Sequence, residues 1–268
     1  MEDLNERSIL TPQQIFFLLL ATFGFVIVFG AIAVLIGGTT LGLLSESLII
    51  LPPLLYLLYK KYPLAASFRF GRIDLFLVLN SLLITFVLFV LSDELDRLVN
   101  LYFPMPPELM QALVRLLRIT SIKDALVLFF AAVLMAGFAE EMLFRGLLQR
   151  TLEHYRDPAM AIVLTSVLFA LAHFNPWVAL QITFLGLALG YMAWKSRSIL
   201  PAVIVHSGNN LLSIVLINTS QEELSLYATE EHVRWIWIIL ALALIGPAFL
   251  TFSRHCEQFE NRKTELPQ

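Results

Sequence analysis

Residues 8–45 carry no charged side chain. A helix of about 20 apolar residues is enough to cross the roughly 30 Å hydrocarbon core of a bilayer. The pattern recurs along the chain: 75–92 and 158–194 are also uncharged. Of the 268 residues 58% are hydrophobic and only 15% charged, where a soluble domain is nearer one-quarter charged. A backbone in lipid has no water to bond, so spans of this kind must be helical. The chain therefore reads as an all-α polytopic membrane helix bundle, a single membrane domain over 1–268. About eight transmembrane helices fit, at roughly 13–36, 41–59, 75–92, 125–139, 158–174, 177–194, 199–217 and 235–253. Gly37-Gly38-Thr39-Thr40 separates the first two, Pro52-Pro53 is expected to kink the second, and Asn175-Pro176 divides the fifth from the sixth. Within the longest connection, 93–123, Leu109, Leu113, Leu116 and Leu117 share one helix face. That segment fits an interfacial amphipathic helix or a loop helix packed on the bundle.

Composition excludes several classes. The chain is too apolar to be disordered, and a net charge of −3 is not that of a nucleic-acid binder. Cys256 is the one cysteine, which leaves no intramolecular disulfide and no cysteine-rich zinc module. The acidic start MEDLNERS, followed by an apolar stretch too long for a cleavable segment, does not read as a secretory signal. The basic residues are asymmetric. Arg7, Lys60, Lys61, Arg69, Arg72, Arg150, Arg156, Lys195, Arg197, Arg254, Arg262 and Lys263 fall on one side; Arg97, Arg115, Arg118, Lys123 and Arg234 fall on the other. Positive residues mark the cytoplasmic side, so both termini are expected there, with an even number of spans. This predicts an integral multi-pass protein, of the plasma (inner) membrane in a prokaryote, whose partner is the bilayer itself.

Ionisable groups inside a span cost about 2.5–3.5 kcal/mol each on insertion scales, and by default they mark function. AGFAEEMLFRGLLQR carries Glu140, Glu141 and Arg145. Glu141 and Arg145 are four apart and can pair, while Glu140 meets Phe144 at the same spacing and is turned about 100° away. A carboxylate without a cationic partner suits a general base. The alternative puts all three charges at the membrane interface, against which the apolar helix continues past Arg145. His173 closes FALAH, with Phe169 one turn earlier on its face. Alone it reads equally as a helix-end histidine. His206 and Asn210 share a face in ILPAVIVHSGNNLL and can donate to a developing oxyanion or bond two helices together. One carboxylate, two histidines and an amide suffice to activate water against a carbonyl. They also contain a His/His/Glu metal set. The helix positions leave a mismatch: at about 1.5 Å per residue His206 lies roughly 10 Å into its span and His173 roughly 20 Å. Gly186, Gly190 and Gly208 would allow close helix approach, and Pro201 fits a first helical turn.

The three motifs Glu140-Glu141-x-x-x-Arg145, Phe169-x-x-x-His173 and His206-x-x-x-Asn210 closely resemble those of the CPBP intramembrane proteases, the CAAX-protease and bacteriocin-processing group also called the Abi family. FLGLALGYMAWKSRSILPAVIVHSGNN is similar to the family's stretch between its second and last motifs. Ser196-Arg197 stands where the family often has Thr-Gly. The likeness covers about 123–217, which would be the catalytic core.

The resemblance implies an intramembrane endopeptidase that cleaves a membrane-anchored protein or peptide, CaaX-like or bacteriocin-related, from a site facing the cytoplasm. Glu140 would activate water with help from His173. His206 and Asn210 would hold the oxyanion, and Glu141 and Arg145 would support the helix. No cofactor is expected: if zinc were bound, Glu140, His173 and His206 would be its ligands, and Glu141 is already assigned to Arg145, leaving no separate base. The rival readings are a non-catalytic immunity or scaffold protein on the same fold and a transporter. The transporter ranks last because every polar motif lies in the second half.

Overall fold

The computed structural model describes residues 8–265. Arg7 and the side chains of Arg262 and Lys263, which enter the charge asymmetry, lie outside what is described. Among the described residues the chain is helical, with no strand beyond an isolated bridge between Ala228 and Val233. The main elements are α1 (Pro12–Glu46), α2 (Leu51–Tyr59), α3 (Leu75–Tyr102), α4 (Pro107–Leu117), α5 (Ile122–Tyr155), α6 (Pro158–Leu171), α7 (Ala179–Ser196), α8 (Leu200–Asn218) and α9 (Trp235–Glu265).

Local chemistry sets the helix starts. Thr11 and Gln14 form a reciprocal capping box at α1, with Pro12 in the first turn. Asp74 caps α3, Ser121 caps α5, and Asp157 caps α6 ahead of Pro158. The break expected near Gly37-Gly38 is a kink at Gly38, whose φ of 67° lies in the left-handed region. Pro52 and Pro53 behave differently from the expectation. They fall in the first turn of α2, where the missing N–H has no helical acceptor to lose, so they begin a helix instead of kinking one.

Five helices are long and apolar enough to cross a membrane: Pro12–Ile36, Leu75–Tyr102, Ile122–Tyr155, Leu200–Asn218 and Trp235–Phe259. The other three expected spans are realised as shorter or more polar helices. The segment 41–59 becomes the end of α1, a tight 3₁₀ turn over Ser47–Ile50, and α2. The helix expected over 158–174 stops at Leu171, and residues 172–178 form turns before α7. α4 forms as the leucine spacing predicts, with none of its residues buried.

The most enclosed span is α3, which packs against α7, α8 and α9. Leu77, Ile84 and Leu88 of α3 meet Leu189, Val205 and Phe252 in one apolar core. A second core joins α1 and α2 to Leu143, Phe144 and Leu147 of α5 and Phe169 of α6. The apolar faces of α1, such as Phe16, Phe17 and Ile27, remain largely exposed, as lipid contact requires.

α5 is 34 residues long. At about 1.5 Å per residue it exceeds a roughly 30 Å core by about 20 Å. The added length carries the start of α6 well past the glutamates, and the chain returns so that His173 and His206 both lie beside Glu140. This accounts for the depth mismatch between the two histidines.

Candidate active site

α5 is not a uniform α-helix where it carries the glutamates. Ala136–Glu141 lies between two π-helical stretches, Phe129–Met135 and Met142–Gln149. The Ala136 N–H donates to the Ala131 carbonyl, five residues back. Such i→i+5 turns are uncommon and gather at functional sites. Here they free the Ala132 carbonyl, which accepts from Asn210 Nδ2 at 2.9 Å.

The neighbouring glutamates have different surroundings. Glu141 is fully buried, and its Oε1 accepts from Arg145 Nη1 at 2.8 Å and bonds His206 Nδ1 at 2.9 Å. The expected i,i+4 pair is therefore present and extended across to α8. Arg145, also fully buried, donates to the Gly186 carbonyl at 3.3 Å and lies over the Phe169 ring at 4.3 Å. Phe169 presents ring edges or faces to both histidines, with centroids 4.9 Å from His173 and 5.7 Å from His206.

Glu140 Oε2 is buried without a hydrogen-bond partner. It faces His206 Nε2 at 3.8 Å and His173 Nε2 at 4.0 Å. His173 Nδ1 bonds the Phe169 carbonyl at 2.8 Å. A carbonyl only accepts, so that nitrogen carries the hydrogen; the Glu141 Oε1 that accepts from Arg145 imposes the same on His206 Nδ1. Both Nε2 atoms are thereby turned toward Glu140. The side chains of Glu140 and His173 are 19% and 34% exposed, and they open onto a cavity of about 270 Å³ lined by Phe23, Val26, Ile49 and Phe144. Phe174 follows His173 with φ 49°, a strained setting for a non-glycine residue.

The sequence-derived set Glu140, Glu141, Arg145, His173 and His206 is thus assembled in one place. Asn210 Nδ2 donates to the Ala132 carbonyl, and Glu141 holds His206 Nδ1. Sequence reasoning missed Gln149, whose Nε2 donates to the Gly190 carbonyl at 2.9 Å and to Glu153 at 2.7 Å. Its signal was the spacing, since Glu141, Arg145 and Gln149 recur every four residues. Gly186 and Gly190, four apart on α7, let Ser166 and Ile162 of α6 pack close, and their carbonyls receive Arg145 and Gln149 of α5.

A His/His/Glu zinc site has bonds of about 2.0–2.2 Å, which puts neighbouring donors roughly 3.3 Å apart. The Glu140–histidine separations are wider. Among the described residues no group of three His, Cys, Asp or Glu side chains is placed to hold a metal ion. The donors as arranged do not fit one. No curated protein and no solved structure matches the chain. Residues 122–212, which carry Glu140, Glu141, Arg145, His173, His206 and Asn210, match the family model described as type II CAAX prenyl endopeptidase Rce1-like, consistent with the CPBP/CAAX protease family.

Proposed function

We propose that this chain is an intramembrane endopeptidase of eight crossings, with α2, α6 and α7 completing the five long helices. Residues 1–268 form one membrane domain with its catalytic core at 123–217. Both termini and the opening of the site face the cytoplasm, from the plasma (inner) membrane in a prokaryote. The substrate is a membrane-anchored protein or peptide, CaaX-like or bacteriocin-related. The match of residues 122–212 to a protease-family model supports the reaction class.

The observation that carries the mechanism is Glu140 Oε2, buried, unbonded and facing two imidazole Nε2 atoms. A gap of 3.8–4.0 Å is too long for a direct hydrogen bond and suits one bridging water. Glu140 takes a proton from that water, and the oxygen attacks the scissile carbonyl carbon. His173 Nε2 accepts the water's other hydrogen and fixes its direction. The oxyanion receives hydrogen bonds from a His206 protonated on both nitrogens and from the second N–H of Asn210, whose first is held by Ala132. With His206 in that form, two carboxylates balance Arg145 and the imidazolium, so the buried cluster has no net charge. Glu140 then delivers its proton to the leaving amine, and the C–N bond breaks.

Glu140→Gln keeps the shape and removes the base. Cleavage of a lipid-anchored peptide by reconstituted protein should fall at least about 100-fold, with the melting temperature unchanged. Retention of more than a tenth of wild-type activity would remove Glu140 from this role. An unchanged cellular phenotype from the inactive variant would favour the scaffold reading.

A further inference from the structure

The loop that carries His173 is short and stiff. Residues 172–178 connect α6 to α7, and successive restraints fill them. Phe174 sits at φ 49°, a region costly for a non-glycine side chain. Asn175 Oδ1 accepts from the Trp177 N–H at 3.1 Å, an Asx turn, and Pro176 between them has a fixed φ. The His173 and Phe174 N–H groups donate to the Ala170 and Leu171 carbonyls, at 3.2 and 3.1 Å. A segment restrained at each step moves as a unit, so what holds Trp177 also directs His173.

Trp177 is held from outside the loop. Its Nε1–H donates to the Pro104 carbonyl at 3.2 Å, and its ring stacks on Phe103 with centroids 5.8 Å apart and planes 18° apart. Both partners belong to the connection between α3 and α4. That connection is itself anchored: the Phe103 N–H donates to the Val99 carbonyl at 2.7 Å, and the Met105 N–H to Asn100 Oδ1 at 2.9 Å. The hydrogen bond sets the position of the indole and the stack sets its tilt.

His173 needs such a fixed point. Its Nε2 lies 4.0 Å from Glu140 Oε2, a gap that one water bridges. Its side chain is 34% exposed, so packing does not enclose the ring. The bond from Nδ1 to the Phe169 carbonyl sets the ring's rotation, and the loop backbone must set its distance from Glu140. We propose that Trp177 is a positioning residue for His173, holding the imidazole through the 174–176 turn at the distance the water requires. The inference rests on the proteolytic reading and adds to it a residue outside the three motifs.

The test uses full-length protein reconstituted in phosphatidylcholine vesicles, with a farnesylated peptide ending in a CaaX sequence as probe. Trp177→Ala removes both contacts. It should lower kcat about 10- to 100-fold with KM changed less than about twofold, as misplacing a reacting group does. Trp177→Phe keeps the stack and loses the donor, so its loss should be only about threefold. A tryptophan that merely anchors a span end would act through stability, and its effect would add to that of other variants. A cycle with His173→Ala separates the two roles. In that background Trp177→Ala should cost less than about twofold more, because the group it positions is gone. Hydrogen exchange of the His173 and Phe174 amides needs no substrate, and should quicken at least about tenfold in Trp177→Ala. Phe103→Ala removes the stack from the other side and repeats both measurements if Trp177→Ala folds poorly. Equal losses in the two backgrounds, a loss confined to KM, or unchanged amide exchange overturns the proposal. A probe left uncut by wild type, or cut equally by Glu140→Gln, counts against the proteolytic reading, and quickened exchange then still supports the hold of Trp177 on the loop.

Discussion

At the scale of single residues, two adjacent glutamates divide the work because a helix turns about 100° between them. Glu141 faces inward, where Arg145 and His206 both bond its Oε1. Glu140 faces the cavity with no bond to Oε2. Removing the Glu141 carboxylate strands a buried guanidinium, a change that typically costs about 3–5 kcal/mol. Glu141→Ala should therefore melt well below wild type in detergent. Glu141→Ala/Arg145→Ala should recover part of that loss, yet stay inactive because His206 Nδ1 still lacks its acceptor. A double variant no more stable than the single would show that the ion pair is not what the motif supports. The pair itself was legible from the i,i+4 spacing within one segment. The bond from Glu141 to His206 was not, because it joins residues 65 positions apart and depends on how two helices cross.

At the scale of elements, close helix contacts set the distances between those side chains. Gly208, two residues past His206, faces Thr85 of α3: a methyl group there would stand 2.5 Å from Thr85 Cγ2. Gly208→Ala should push α8 off α3, destabilise by about 1–3 kcal/mol as overpacking does, and reduce proteolysis by displacing His206 from Glu140. Adding Thr85→Ala clears the nearest atoms and should restore both melting temperature and activity. Failure of the second substitution to rescue either would mean the contact is not what positions α8. The glycines, the Gly38 kink and the Pro201 start of α8 were legible because each acts through its own backbone or small size. The early end of α6 was hidden. Ala172 and His173 continue the apolar pattern, but the His173 ring closes on the Phe169 carbonyl and the chain turns. Such non-helical backbone at membrane depth is tolerated where it lines a cavity instead of lipid, and residues 172–174 line the one beside Glu140.

At the scale of the whole molecule, five helices meet the length and hydropathy of a crossing, an odd number that alone would put the ends of the described chain on opposite sides. The proposed eight crossings count three shorter helices as well. In that proposal α6 and α7, which pack against each other between the end of α5 and the start of α8, make one excursion across and back. In the same proposal α2 returns the chain after α1, with Lys60 and Lys61 following it and Asp74 capping α3 beyond them. Under that proposal the number is even, as an arrangement with the basic segments on one side and Glu222, Glu223, Glu230 and Glu231 on the other requires. Single cysteines in a Cys256→Ser background test the arrangement in intact cells with a membrane-impermeant maleimide. Lys60 and Glu222 are both exposed, so a cysteine at either reports sidedness and not burial. Glu222→Cys should label from outside, and Lys60→Cys only after lysis. Labelling of both from outside, or of Lys60→Cys alone, would invert or break the topology and put the opening of the Glu140 cavity on the other side.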